Sequence, residues 1–191
     1  MAVRLLVTAG SARRGSYNAA LAKVAAGIAR AEGAEVTELD LRALGLPVYD
    51  AEIEAAGLPA GALELRRLFA ANDAFIVAAP EYNSFVTPLI INALDWVSRV
   101  PAAGDLPAGL AATGGTVAGM LSASPGAFGG ARALLFLRSF LATSLGMLVV
   151  SETASVPQAS HAFDERGALK EARLQQAVER VVRSVLRTAG G

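Results

Sequence analysis

Cysteine is missing from the 191 residues of this chain, so no disulfide can staple it. Net charge is missing too, because 17 lysines and arginines balance 17 aspartates and glutamates. That balance leaves no electrostatic ground for a nucleic acid or an anionic membrane as partner. No apolar run reaches the roughly 18 residues of a membrane span. Met1-Ala2-Val3-Arg4 leads straight into a strand, without the basic segment, longer apolar stretch and small-residue cleavage site of a signal peptide. The expectation is therefore a soluble, cytoplasmic protein. Histidine occurs once, as His161, in the polar stretch Ser155 to Asp164, where it reads as a surface residue. What the chain does have is apolar bulk: 53% of its residues are hydrophobic and 18% charged, which predicts one domain over residues 1–191 with a sizeable core.

The stretch with the most chemistry is Gly10-Ser11-Ala12-Arg13-Arg14-Gly15-Ser16-Tyr17-Asn18. It lies between an apolar run of strand length, Val3 to Thr8, and a segment, Tyr17 to Glu32, whose apolar residues recur at three- and four-residue intervals. Such a strand–loop–helix join places free backbone N–H groups and the positive end of a helix dipole at the carboxyl end of a strand, where an anion can be received. Ser11, Ser16 and Asn18 add neutral donors, and Arg13 or Arg14 adds a fork that matches phosphate oxygens. An ordinary polar loop with a serine cap is the simpler alternative. Gly10 and Gly15 have the spacing of a triphosphate-binding loop, but Ser16-Tyr17 stands where Lys-Ser or Lys-Thr is needed. The Gly-x-Gly-x-x-Gly dinucleotide pattern fails as well, since Ala12 replaces its second glycine. A single terminal phosphate fits best.

Further along, Glu35 to Leu39 alternates as a short strand, residues 51 to 60 read as a mobile connection, and a helix is predicted from Ala60 to Ala71 with Leu63, Leu65, Leu68 and Phe69 buried. Ala74 to Ala79 is a continuous apolar run of the kind expected for a central parallel strand. It is closed by Pro80 and followed by the polar turn Glu81-Tyr82-Asn83-Ser84. A helix from about Thr87-Pro88 to Arg99, a loop from Pro101 to Thr113, a fourth strand at Thr116 to Leu121, a helix from Gly130 to Ser144 and a fifth strand at Met147 to Val150 follow. Ser151 to Glu165 reads as irregular, and Arg166 to Thr188 as a final amphipathic helix. Strands alternating with helices predict a three-layer α/β/α domain on a five-stranded parallel sheet, in the flavodoxin-like order 2-1-3-4-5. Its switch point sets the loops Ser11 to Asn18 and Pro80 to Ser84 on either side of one crevice, with the Ser122 to Gly130 loop beside them.

Four ordered segments now carry a resemblance: Gly10-Ser11-x-Arg13-x-Gly15-Ser16-Tyr17-Asn18, Pro80-Glu81-Tyr82-Asn83, Asn92-Ala93-Leu94-Asp95-Trp96-Val97-Ser98-Arg99, and Gly126-Ala127-Phe128-Gly129-Gly130-Ala131-Arg132. Together they resemble the NADPH-dependent FMN reductase family of flavodoxin-like proteins, which includes quinone, azo-dye and chromate reductases. The resemblance implies that Ser11, Arg13, Ser16 and Asn18, with Tyr17 beside them, hold the phosphate of FMN. It implies that Pro80, Glu81, Tyr82 and Asn83 line the isoalloxazine, and that Ser122, Ser124 and Gly126 contact the flavin from the neighbouring loop. NADPH or NADH is implied as co-substrate, with a quinone, azo compound, free flavin or similar small molecule as electron acceptor, in a homodimer or homotetramer. No side chain is expected as a catalytic acid or nucleophile, and no metal ligand set is assigned, because the flavin carries the electron chemistry. No separate fingerprint marks a place for the adenine half of the nicotinamide cofactor.

One departure stands out. Many relatives have Leu-Lys-Asn-Ala where this chain has Ile90-Ile91-Asn92-Ala93, which bears on a subunit contact or the pocket edge. The competing reading is an FMN-binding electron carrier without NAD(P)H turnover; neutral charge and Arg13-Arg14 in the loop favour the reductase over it.

Overall fold

The computed structural model describes residues 1–191. Its first strand, β1 (Arg4–Ala9), has consecutive aliphatic residues that point to opposite faces and are all buried: Leu5 and Val7 enter one core layer and Leu6 the other. A strand buried on both faces needs a covering layer on each side. Helices α1 (Tyr17–Ala31) and α8 (Ala172–Gly190) supply one, with Leu21, Ala25, Val178, Val181 and Val185. Helices α3 (Ala60–Ala71), α4 (Pro88–Arg99) and α6 (Ala131–Ser139) supply the other, with Leu65, Phe69, Leu94 and Leu137. Each such aliphatic side chain taken fully out of water contributes about 1.5–3 kcal/mol.

Between the layers runs a five-stranded parallel sheet made of β2 (Glu35–Leu39), β1, β3 (Ala74–Ala78), β6 (Val117–Ala123) and β7 (Leu148–Val156), in the order β2-β1-β3-β6-β7. In the register, Thr8 pairs with Leu39 and Val77, and Val77 in turn with Met120, so the loops after β1, β3 and β6 emerge side by side. The expected order of the main strands is the observed one.

Several expectations are corrected. The connection over residues 51–60 contains a short helix, α2 (Ala51–Ala56), capped by the Asp50 carboxylate on the Glu52 amide. The loop after Pro101 contains α5 (Gly109–Thr113). Leu63 is exposed, and Arg66 is buried in its stead, its guanidinium donating to the carbonyls of Pro101 and Pro107. The polar turn after β3 is a hairpin of β4 (Glu81–Tyr82) and β5 (Phe85–Val86). The fifth strand of the main sheet does not end at Val150 but runs to Val156, past a register shift between Ala118 and Met120, and is followed by α7 (Ala159–Ala162), which carries the exposed His161. The helix ending near Ser144 is regular only to Ser139 and closes in a wider turn over Phe140–Ser144.

Candidate functional site

The loop after β1 is pinned at its start. Gly10 donates to the carbonyl of Ala78 (2.9 Å) and accepts from the Thr87 hydroxyl (2.7 Å), and a Cβ here would run into the Ile90 side chain. Only glycine lets α4 come this close to the loop. Beyond it the backbone amides of Ser11, Ala12, Arg14, Gly15 and Ser16 donate to no acceptor in the protein. Ser16, nearly buried, caps α1: its Oγ accepts the amides of Asn18 and Ala19, which leaves its hydroxyl proton to point elsewhere. Arg13 lies over the Tyr17 ring at 5.1 Å and has no carboxylate partner. A curl of unspent donors at the positive end of a fifteen-residue helix, with an unpaired guanidinium beside it, is chemistry suited to a phosphate.

Next to this loop lies a cleft of about 290 Å³, floored by Ala123 and walled by Ser11, Arg13, Ser16, Tyr17, Asn18, Pro80, Glu81, Tyr82, Ser124 and Pro125. Nine of the twelve residues expected in the site line it. Two of these nine, Asn18 and Glu81, have their polar groups committed to the protein itself. Asn18 is buried, and its amide exchanges two hydrogen bonds with the backbone of Ala123 (2.8 and 2.9 Å), so it clamps α1 to the end of β6 instead of offering a free donor. Three expected residues fall outside the lining. Ser122 is fully buried beneath Gly129 and Gly130 and spends its hydroxyl on the Gly129 carbonyl (2.7 Å) and on Ser155 (3.0 Å). Asn83 forms, with Ser84, the two-residue turn of the hairpin; both have positive φ, 51° and 65°, as a type I′ turn requires. Gly126 follows Pro125 outside the cleft, its amide held by the Ser124 hydroxyl. Ala123 and Pro125 are the lining residues that residue-type reasoning passed over, having no polar side chain to signal them.

Glu81 lines the cleft, but its carboxylate is committed elsewhere. Its carboxylate is 8% exposed and turns to the start of α6. There it accepts Nε (2.8 Å) and a second nitrogen of Arg132, and the backbone amides of Arg132 (3.1 Å) and Ala133 (3.3 Å). The Arg132 guanidinium, hydrogen-bonded to it, holds this carboxyl below the usual carboxylate range. Helix α6 begins after the left-handed Gly129 and Gly130 and has no capping side chain of its own, so Glu81 caps it from another strand. This pair welds the hairpin to the loop after β6. Only Tyr82, half exposed, is left to present an aromatic face at that side of the cleft.

The third motif, Asn92 to Arg99, stands behind the site. Asn92 and Trp96 both donate to the Pro47 carbonyl (2.8 Å each), Asn92 accepts the Tyr49 amide, and Arg99 pairs with Glu54. It fastens the segment after β2 onto α4. Ile91, in the position of the relatives' lysine, is half-buried against the layer containing Leu65 and Leu94.

Known proteins resemble this chain over most of its length. The description of the NADPH-dependent FMN reductases matches residues 3–161. An NAD(P)H-dependent FMN reductase of Pseudomonas aeruginosa is 30% identical over 184 residues, 96% of this chain and 93% of that protein. A probable NADPH:quinone oxidoreductase of Oryza sativa subsp. japonica is 29% identical over 189 residues, 96% of this chain and 90% of the other. Among solved structures, a flavoenzyme NAD(P)H:(acceptor) oxidoreductase from Paracoccus denitrificans superposes with a TM-score of 0.78 at 28% identity, over 97% of this chain and 98% of its own.

Proposed function

We propose, for a chain that belongs to the NADPH-dependent FMN reductase family, that the cleft between Gly10–Asn18, Pro80–Tyr82 and Ala123–Pro125 holds FMN and serves the transfer of electrons from NAD(P)H to a quinone or another small acceptor. The observation that carries this reading is the set of unspent amides between Ser11 and Ser16 at the start of α1, of which those of Ser11 and Ser16, with the Ser16 hydroxyl, belong to residues lining a cleft whose opposite wall has few charges. One end fits a dianion and the other a flat, mostly uncharged ring system.

In this reading Ser11, Ser16, Arg13 and the loop amides hold the phosphate, with Tyr17 as the surface on which Arg13 rests. Pro80, Tyr82, Ser124 and Pro125 pack along the ring and keep water from one side of it. Asn18, Glu81, Asn83 and Ser122 act one step back, fixing the three loops relative to one another. Bound FMN supplies the two-electron relay between nicotinamide and acceptor. The chain's own contribution is position and electrostatics, and no titrating side chain of the cleft is needed as an acid.

No helix is long and apolar enough to cross a membrane, in keeping with an enzyme of the cytoplasm built as one domain over residues 1–191. Phe128, Leu135 and Phe136 are exposed near the hairpin, where Phe85 and Phe136 pack at 4.7 Å. This apolar surface beside the cleft is the basis for reading the protein as a homodimer or homotetramer.

The test is direct. Purified protein is expected to bind FMN, show a flavin spectrum and oxidise NADPH or NADH with a quinone. Arg13→Ala is expected to weaken FMN binding about tenfold or more in a fluorescence titration, the scale of one charge-assisted hydrogen bond. FMN binding without coenzyme oxidation would establish the electron carrier instead.

A further inference from the structure

On the other side of the phosphate loop a second crevice opens, of about 510 Å³, larger than the flavin cleft. Its floor is the end of β1, from Val7 to Ala9, and its sides are the loop, the inner turn of α1 with Ala19, Ala22 and Lys23, and the end of β2 with Glu38, Leu39, Asp40 and Arg42. Ser11 and Arg13 line both spaces and so stand between them. The sheet order sets one over the β2–β1 gap and the other over β1, β3 and β6, about two strand spacings away, or roughly 10 Å.

The basic side chains of this crevice outnumber its carboxylates. Arg13, Arg14, Lys23 and Arg42 all border it, and none takes part in an ion pair. Of its two carboxylates, Glu38 is already paired with Arg30 (2.8 Å). Asp40 accepts the Arg42 amide through Oδ1 (2.9 Å), which leaves Oδ2 free. The Arg42 guanidinium reaches back to the Ala12 carbonyl (3.3 Å), which lays it along the loop with most of its donors unused. Leu39, Ala19 and Ala22 add apolar wall.

A ligand suited to these groups carries a dianion for the arginines, a sugar hydroxyl for Asp40 and a flat apolar portion. In dinucleotide-binding doubly wound sheets the end of the second strand meets the adenosine ribose, through a carboxylate on the 2′-OH of NADH or through an arginine on the 2′-phosphate of NADPH; once the 2′-OH is phosphorylated, the 3′-OH is the donor left for a carboxylate. We propose that this crevice takes the adenosine 2′-phosphate end of NADPH, with Arg42 and Arg14 on the phosphate and Asp40 accepting from the ribose 3′-OH. It is the crevice, and not a glycine fingerprint, that selects NADPH over NADH. The inference rests on the reductase reading for the place of the nicotinamide, which then lies toward the flavin cleft across Ser11 and Arg13.

Isothermal titration of the FMN-loaded protein with adenosine 2′,5′-bisphosphate, 5′-AMP and inorganic phosphate reads the crevice without turnover. The bisphosphate is expected to bind at least about tenfold more tightly than either of the others, as one added arginine–phosphate contact allows. Arg42→Ala is expected to abolish that advantage, and to raise KM for NADPH about tenfold while KM for NADH moves less than about twofold, with circular dichroism and bound FMN confirming the fold. Equal binding of the bisphosphate and 5′-AMP overturns the proposal, as does inorganic phosphate binding as well as the bisphosphate. So does a loss in Arg42→Ala that is the same for both coenzymes. A protein that binds the bisphosphate selectively but oxidises neither coenzyme would refute the reductase reading and leave the crevice assigned.

Discussion

At the scale of single residues, Glu81 shows how a sequence motif can be recognised while the partner of its side chain stays unread. The run Pro80-Glu81-Tyr82-Asn83 was legible as a piece of the site, yet nothing local reveals that the carboxylate turns away to cap a helix beginning fifty residues later. The same holds for Ser122 and Asn18, whose polar groups are consumed by backbone partners that only the folded sheet brings near. Removing the carboxylate leaves two amides of α6 and a guanidinium without their acceptor. Because Arg132 is itself half exposed, water recovers part of that loss, so Glu81→Ala is expected to cost about 2 kcal/mol and Glu81→Gln about half as much. Urea unfolding midpoints of the two variants check the ranking; a Glu81→Gln midpoint equal to that of the unaltered protein would mean that the charge contributes nothing beyond hydrogen bonding.

Elements whose apolar residues repeat with a clear period were legible: α1, α3, α4 and the strands at β1, β2, β3 and β6 lie within a few residues of their expected bounds. The part of β7 after Val150 was not, because Ser151-Glu152-Thr153-Ala154-Ser155 is an edge strand rich in polar side chains, among them Glu152, which accepts from Ser184 of α8. Polarity alone cannot separate such an edge from a loop. The β4–β5 hairpin was missed for a related reason, since two-residue strands carry no period. Its turn holds two non-glycine residues at positive φ, a conformation that costs on the order of 1 kcal/mol per residue. Ser84→Gly would create the favoured Asn-Gly turn and is expected to raise stability by about 0.5–1 kcal/mol, whereas Asn83→Val is expected to lower it by about 1–2 kcal/mol. Thermal denaturation of both variants, which should move in opposite directions, tests the turn assignment.

Across the whole molecule, the two apolar layers hold the sheet while a set of carboxylates ties its periphery. Asp73 and Glu64 are held below the usual carboxylate range by hydrogen bonds from Arg4 and Arg67, Glu54 by Tyr49 and Arg99, Glu81 by Arg132, and Glu152 by Ser184. A carboxyl depressed on folding stabilises fully above its unfolded value, about 4.3, and loses that contribution as pH falls through the folded value. Stability is therefore expected to be flat from pH 7 to about 5 and to decline below about 4. A urea midpoint unchanged down to about pH 3 would show these partners to be inert. The Asn18–Ala123 clamp also bears on the order in which the molecule forms. It joins residues 105 apart, so the phosphate loop stays unset until β6 has docked, and a parallel sheet closes such distant pairings late. FMN then has nothing to grip on a partly folded chain. In stopped-flow experiments, added FMN is expected to slow unfolding and to leave the refolding rate unchanged, the mark of a ligand that greets only the finished protein.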